Sequence, residues 1–214
     1  MKLLDIIYVI NIEHRVDRME GFRDSIETLG LEDKVERINA NYYPSCPPLG
    51  CARSHLMALE AFEKSSHQYA LICEDDIRFI VPSDFIVFFE KLEKEVFEKN
   101  LEFDVIMLMG DVNHSGAVIF KTDIDFLDKA NAVHTASCYL VNRIFLPTLI
   151  ECFRNCVAHL ESIEFASFKP ASYEIDQYWK NLQPVSNWYV AHPVIGRHEP
   201  GYSDICKADV NYGF

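Results

Sequence analysis

The sequence predicts an α/β domain built on a mostly parallel central sheet flanked by helices. Two observations carry that expectation. From residue 1 to about residue 110, short apolar runs alternate with segments whose apolar residues recur at helical spacing, as βαβ units require. The first apolar run, Leu3 to Ile10, is a nearly unbroken series rich in Ile, as a strand buried on both faces should be. At 214 residues, 49% hydrophobic and 25% charged, the chain is long enough for one such domain with a sizeable core.

The elements follow in order. After the first strand and Asn11, the residues Val16, Met19, Phe22, Ile26 and Leu29 mark a helix, and Gly30 sits where its C-terminus favours a left-handed residue. Val35 to Ala40 reads as a second strand. Pro44, Pro47 and Pro48 mark a loop, followed by a helix from about Cys51 to Lys64 with Leu56, Leu59 and Phe62 on one face. Tyr69 to Cys73 is a third strand. Ser83 is placed to cap a helix reaching about Lys99, with Phe85, Phe88, Phe89, Leu92 and Val96 inward and Glu90, Glu93 and Lys94 outward. Asp104 to Met109 is a fourth strand, ending at Gly110-Asp111. The more polar stretch Asn113 to Asn131 fits a hairpin or an active-site flap. Thr135 to Val141 reads as a strand, and Leu146 to Leu160 as a helix that tolerates Pro147 in its first turn. Tyr173 to Asn181 suggests a short helix, Trp188 to Ala191 a last strand, and Arg197 to Phe214 an aperiodic tail. No repeat or linker interrupts the chain, so one domain over 1–214 is expected.

Composition excludes several classes. The net charge is −13, from 33 acidic and 20 basic residues, whereas a nucleic-acid binder needs cations to neutralise phosphate. No apolar run approaches the roughly 20 residues of a membrane-spanning helix. Lys2 and Asp5 in the opening stretch read as part of a strand rather than a secretory signal. The seven cysteines are odd in number and scattered without a Cys-x-x-Cys pair, which disfavours a zinc ribbon or a disulfide framework. Cys152 and Cys156 read as buried thiols on a helix. A reducing, cytoplasmic location is expected.

Five segments carry possible chemistry. The apolar strand ending in Glu74-Asp75-Asp76 puts three carboxylates where open α/β sheets bind ligands. Adjacent carboxylates repel, so a half-buried set calls for a cation, and hard oxygen ligands suit Mg²⁺ or Mn²⁺. A solvated acidic turn is the alternative, made weaker by the apolar strand running straight into it. In an extended chain Glu74 and Asp76 would share one side and Asp75 would face the other. Asn11 to Arg18 follows the first strand, and Arg15 and Arg18 can share a helix face to hold phosphate, or else pair with Glu13 and Asp17. Gly50 to Leu56 offers Arg53, Ser54 and His55 in the first turns of a helix, over a ligand or in ordinary helix bonding. Asp176 stands among Tyr173, Tyr178 and Trp179, surroundings that could raise its pKa and suit it to accept a proton; the same pattern fits a helix packing its aromatics inward. His198, in His198 to Ile205, is a third metal ligand or a loop histidine.

Taken in order, Tyr8-Val9-Ile10-Asn11-Ile12 with Arg15 and Arg18, Gly50-Cys51-Ala52-Arg53-Ser54-His55-Leu56, Leu71-Ile72-Cys73-Glu74-Asp75-Asp76, His134-Thr135-Ala136-Ser137-Cys138-Tyr139-Leu140, the Asp176 segment and Pro200-Gly201-Tyr202-Ser203-Asp204-Ile205 resemble glycosyltransferase family 25. That family includes lipopolysaccharide-core and collagen galactosyltransferases. The resemblance implies a GT-A fold, with a Rossmann-like nucleotide-sugar half over about 1–110 and an acceptor half over about 111–214. It implies an inverting transfer, usually of galactose from a UDP-sugar to a glycan, glycolipid or protein hydroxyl, with the enzyme soluble or peripheral at a membrane. Glu74, Asp76 and His198 would be the metal set, holding Mn²⁺ or Mg²⁺. Asn11, Arg15, Arg18, Arg53, Ser54, His55 and Asp75 would bind substrate. Asp176 would be the base, with Asp111 in reserve. The rivals are a non-catalytic carbohydrate or nucleotide binder and a metal-dependent phosphohydrolase. The second is disfavoured because Asn11 stands where that chemistry needs an aspartate nucleophile. A sugar nucleotidyltransferase is disfavoured because no Gly-rich basic loop follows the first strand.

Overall fold

The computed structural model describes residues 1–113, 116–162, 174–204 and 206–211. Its spine is an eight-stranded sheet. In chain order the strands and helices are β1 (Ile6–Asn11), α1 (Val16–Glu27), β2 (Val35–Asn39), α2 (Pro47–Lys64), β3 (Tyr69–Glu74), β4 (Ile77–Arg78), α3 (Pro82–Lys99), β5 (Val105–Met107), β6 (Val118–Lys121) and β7 (Leu127–Asn131). There follow β8 (Cys138–Asn142), α4 (Leu146–Ser162), α5 (Ile175–Tyr178), β9 (Trp188–Ala191), β10 (Arg197–His198), β11 (Gly201–Ser203) and β12 (Ala208–Val210). The sheet order is β2-β1-β3-β8-β5-β9-β7-β6. Strands β1, β2, β3, β5, β6 and β9 run one way, and β7 and β8 run against them. The mostly parallel α/β class expected from the sequence is therefore the one adopted. The antiparallel β8 sits between β3 and β5, a placement that no local pattern announces.

Side-chain alternation builds two cores. On one face of the sheet Tyr8, Ile10, Ala70, Ile72, Tyr139 and Val141 pack under α2, α4 and Trp179. On the other, Ile7, Val9, Leu71, Cys73, Cys138 and Leu140 pack under α1 and α3. The period-2 switch along β1, β3 and β8 explains why these strands read as continuous apolar runs. In the second core Phe85, Phe88 and Phe89 of α3 cluster with Phe79 and Phe126, mostly edge to face. The Cys73 and Cys138 thiols touch across the β3–β8 pair at 3.5 Å. Cys152 and Cys156 are buried on α4 as expected, and burial pushes their thiols up to about 11 and about 12.

Several local expectations change. Helix α2 starts at Pro47, four residues before Cys51, because Pro47 and Pro48 occupy its first positions, where a missing N–H costs nothing. Ser83 lies inside α3 rather than capping it, since Pro82 already opens that helix. Val16 is 58% exposed, so α1 buries only Met19, Phe22, Ser25 and Ile26. Gly30 has φ +64°, the left-handed geometry anticipated after α1. The described residues of the 113–131 stretch include the β6–β7 hairpin at the far edge of the sheet, and none of them lines the main cleft. The tail is not irregular. It pairs β10 with β4 and folds β11 against β12. Tyr173, Ile205 and residues 212–214 lie outside the described residues. No helix among the described residues is long and apolar enough to cross a membrane.

Truncating Phe89, which is fully buried in the aromatic cluster, tests the second core. Phe89→Ala should lower unfolding free energy by about 3–5 kcal/mol, read from urea melts. A loss under about 1 kcal/mol would contradict the packing described.

Candidate functional site

A cleft of about 420 Å³ opens beyond the carboxyl ends of β1 and β3. Its lining includes Glu74, Asp75, Asp76, Asp111, Glu174, Asp176 and Asp204, with His55, His134 and His198. Arg18 is the one lysine or arginine among the described lining residues.

The acidic triplet divides at the end of β3. Alternation sends Ile72 into the α2-side core and Cys73 into the α1-side core, so Glu74 turns toward α2 and Asp75 toward α1. Glu74 Oε1 lies 3.3 Å from His55 Nε2 and 3.9 Å from Cys51 Sγ. Asp75 Oδ2 accepts from Asn11 Nδ2 at 2.6 Å, and its Oδ1 accepts from Arg18 Nη1 at 3.1 Å. Strand geometry stops at Glu74, because residues 75 and 76 form a turn. Asp76 therefore swings to the Arg18 side, 3.3 Å from the same Nη1, instead of sharing a side with Glu74 as it would in an extended chain.

Tail and strand converge on Asp76. The pairing of His198 with Ile77 in the β10–β4 ribbon brings the imidazole back to the acidic turn, and Glu199 N donates to the Asp76 carbonyl at 2.8 Å. His198 Nδ1 lies 3.6 Å from Asp76 Oδ1, and its Nε2 is held by Ser137 Oγ at 3.1 Å. Asp76 Oδ1 is buried and accepts no hydrogen bond among the described residues. Arg78 braces the turn by donating to the carbonyls of Asp75 and Ile77 and by pairing with Glu199. Gly21 of α1 leaves it room, since a Cβ there would overlap the guanidinium.

Burial alone would push the Asp76 carboxyl up, but His198, Arg18 and Arg78 outweigh it and hold the group below its ordinary value. For Asp75 burial wins over Arg18 and Asn11, and the carboxyl rises from 3.8 to about 6.

On the opposite wall, α5 delivers Asp176. Its Oδ2 accepts from Thr135 N at 2.9 Å and lies 3.4 Å from His134 Nδ1. Its Oδ1 is buried and accepts no hydrogen bond among the described residues. His134 Nε2 lies 4.0 Å from Asp111, so the imidazole stands between two carboxylates. The expectation that aromatic surroundings raise the Asp176 pKa is not met. Burial acts in that direction, but His134 and the Thr135 N–H outweigh it and the net shift is downward.

The remaining predicted residues have other duties. Arg15 pairs with Asp17 and Asp204 and donates to the Tyr202 carbonyl, which anchors the tail, and it does not line the cleft. Arg53 is also outside the cleft, pairing with Glu161 of α4 at 2.7 Å and stacking over Tyr43. Ser54 lines the cleft, but its hydroxyl is occupied by the Gly50 carbonyl and the Asn41 N–H. Asn11 links the two sides, donating to Asp75 while accepting from Arg37 at 2.8 Å. His134, Cys51 and Ser137 were absent from the predicted site. Their partners, Asp176, Glu74 and His198, lie far away along the chain, so spacing alone gives no signal.

The Asp75 shift has a consequence for stability. The folded state holds this proton more tightly than the unfolded chain, so between about pH 4 and 6 the group's contribution falls as pH rises. In cation-free buffer Asp75→Asn should be more stable than the parent at pH 7, by up to about 3 kcal/mol, with the gap closing below about pH 4. Urea melts across that range measure it. A less stable Asn variant at pH 7 would show that pairing with Arg18 outweighs burial.

No known protein-family profile matches the chain, and no curated protein sequence matches it significantly. Solved structures similar to it include A197 from STIV, 14% identical over 98% of this chain and 93% of that one, with a TM-score of 0.49. A glycosyltransferase involved in glycosylation of the major capsid of PBCV-1 is 10% identical over 87% of this chain and 80% of its own, at TM-score 0.47. The mannose-1-phosphate geranyltransferase from Thermus thermophilus is 9% identical over 89% of this chain and 74% of its own, at TM-score 0.45. Likeness of this degree assigns neither a family nor an activity.

Proposed function

We propose that the cleft is the active site of a GT-A-like, divalent-cation-dependent glycosyltransferase using a nucleotide-sugar donor, with a UDP-hexose such as UDP-galactose as the leading candidate. The observation that carries this reading is the charge of the cleft. Asp75 and Asp76 are buried side by side and share one guanidinium. Asp76 Oδ1 beside His198 takes no hydrogen bond among the described residues. A buried carboxylate oxygen left in that state is costly and asks for a cation.

Asp76 Oδ1 and His198 Nδ1 lie 3.6 Å apart, and a Mn²⁺ or Mg²⁺ held by them would take its other ligands from water and the donor's phosphates, as such ions commonly do, while Glu74 faces the α2 wall. When bound, the ion supplies neutralisation of a diphosphate that the acidic walls would otherwise repel. Arg18 adds the only guanidinium in the described lining, placed by α1 next to the same turn.

Across the cleft Asp176 is positioned to take the proton of an acceptor hydroxyl. The Thr135 N–H and His134 hold one oxygen, and the buried Oδ1, which takes no hydrogen bond among the described residues, is the oxygen that would take the proton. The acceptor oxygen then bonds to the anomeric carbon, the bond from that carbon to the diphosphate breaks with its electron pair on the phosphate oxygen, and the proton resides on Asp176. Attack from the face opposite the leaving group inverts the anomeric centre. His134, flanked by Asp111, supports the charge changes at Asp176. The acceptor would be of the glycan, glycolipid or protein-hydroxyl class.

A panel of UDP-, GDP- and CMP-sugars with Mn²⁺ tests this reading by nucleotide release. The expected result is Mn²⁺-dependent release from a UDP-sugar, abolished by a chelator and by Asp76→Asn. Unchanged release by folded Asp76→Asn protein would remove the cation assignment. Asp176→Asn should lower transfer by about 10²–10⁴-fold while donor binding persists. Equal loss of donor binding would place Asp176 in ground-state recognition instead.

A further inference from the structure

Glu74 is held apart from the Asp76 turn, and its partners form a different kind of cluster. Cys51 and His55 are i, i+4 on α2, so both side chains project from one helix face toward the end of β3. Among the described residues, Cys51, His55 and Glu74 are the one set of three His, Cys, Asp or Glu side chains whose ligand atoms all lie within 4.8 Å of each other. Glu74 Oε1 is 3.3 Å from His55 Nε2 and 3.9 Å from Cys51 Sγ. A tetrahedral zinc ion, with bonds of about 2.0 Å to nitrogen and oxygen and about 2.3 Å to sulfur, separates such ligand atoms by about 3.3 Å and about 3.5 Å. The observed edges match the first value and exceed the second by a shift within reach of a side-chain rotation.

The surroundings complete the arrangement. His55 is fully buried, and its Nδ1 lies 2.9 Å from the Tyr139 hydroxyl, which fixes the ring so that Nε2 faces Glu74. Metal-ligating histidines are oriented by such a contact on the second nitrogen. Cys51, His55 and Glu74 all line the cleft, so a fourth position would open into it. A thiolate, an imidazole and a carboxylate form a mixed, borderline set that favours Zn²⁺ or Co²⁺ over Mg²⁺ or Mn²⁺.

We propose that Cys51, His55 and Glu74 form a second metal site, selective for a zinc-like divalent ion, on the α2 wall of the cleft. This site is separate from the hard-cation position at Asp76 and does not depend on the glycosyltransferase reading. Its open position would take water or an oxygen ligand of a molecule bound in the cleft.

Titration of the full chain with Co²⁺, followed by absorption, tests the proposal. The expected result is one equivalent giving an intense near-ultraviolet thiolate-to-metal band with tetrahedral visible bands, both displaced by Zn²⁺. Cys51→Ser should lose the near-ultraviolet band, and Asp76→Asn should keep it. Tyr139→Phe should weaken Co²⁺ binding by about 10- to 100-fold while leaving the band shape unchanged. No thiolate band in the parent protein, or a band surviving in Cys51→Ser protein, would overturn the site. Because Cys51 is partly exposed, circular dichroism of the serine variant is expected to match the parent, which separates lost ligation from lost folding.

Discussion

Two neighbouring carboxylates at the end of a central strand share one guanidinium, and much of the molecule is arranged around that fact. Asp75 and Asp76 leave water at the end of β3, and Arg18 reaches both from the start of α1. At close range and in a low effective dielectric, two buried charges of one sign repel strongly, and one cation offsets them only in part. The rest of the compensation is recruited from distant segments. Asn11 donates to Asp75 from the end of β1, and Arg78 grips the carbonyls of the turn. The tail returns to add His198 through the β10–β4 ribbon. Arg18 also donates to the Tyr202 carbonyl, so one side chain ties the acidic turn, the first helix and the tail together.

That arrangement leaves Asp76 Oδ1 without a hydrogen-bond donor among the described residues. In a native interior such an omission is uncommon, and it is often a mark of a functional position. The facing wall repeats the theme at Asp176, where one oxygen is held by Thr135 and His134 and the other, also buried, takes no hydrogen bond among the described residues. The two residues line one cleft from different elements, one on the turn after β3 and one on α5. Their difference in company assigns different work. Asp76 has an imidazole and guanidinium groups around it, whereas Asp176 is held by one imidazole and one backbone amide.

How much of this the sequence displayed follows from the distances involved. The buried strands were legible because both faces of β1 and β3 are apolar, and α3 was legible because its phenylalanines recur on one face. The acidic triplet and Arg18 stood out because strand ends in α/β sheets are where ligands bind, and Asp176 because it stands among aromatic residues. The insertion of antiparallel β8 between β3 and β5 was not visible, since pairing partners are a tertiary choice. Arg15 and Arg53 look like ligand-binding groups in the sequence, yet Asp204 and Glu161, far along the chain, occupy them. Strand alternation turns Glu74 toward Cys51 and His55, but that α2 packs over that face of β3 is a tertiary choice. The downward shift at Asp176 likewise depends on His134, placed there by the chain leading into β8.

The cation proposed for the acidic turn would sit against Asp76. Crystals grown with Mn²⁺ and UDP and measured at the manganese absorption edge would locate the ion directly. The expected result is an anomalous peak bonded to an Asp76 carboxylate oxygen, near His198, with the diphosphate on its far side. A manganese peak found only against Cys51, His55 and Glu74, or no peak at the acidic turn with UDP bound in the cleft, would contradict it.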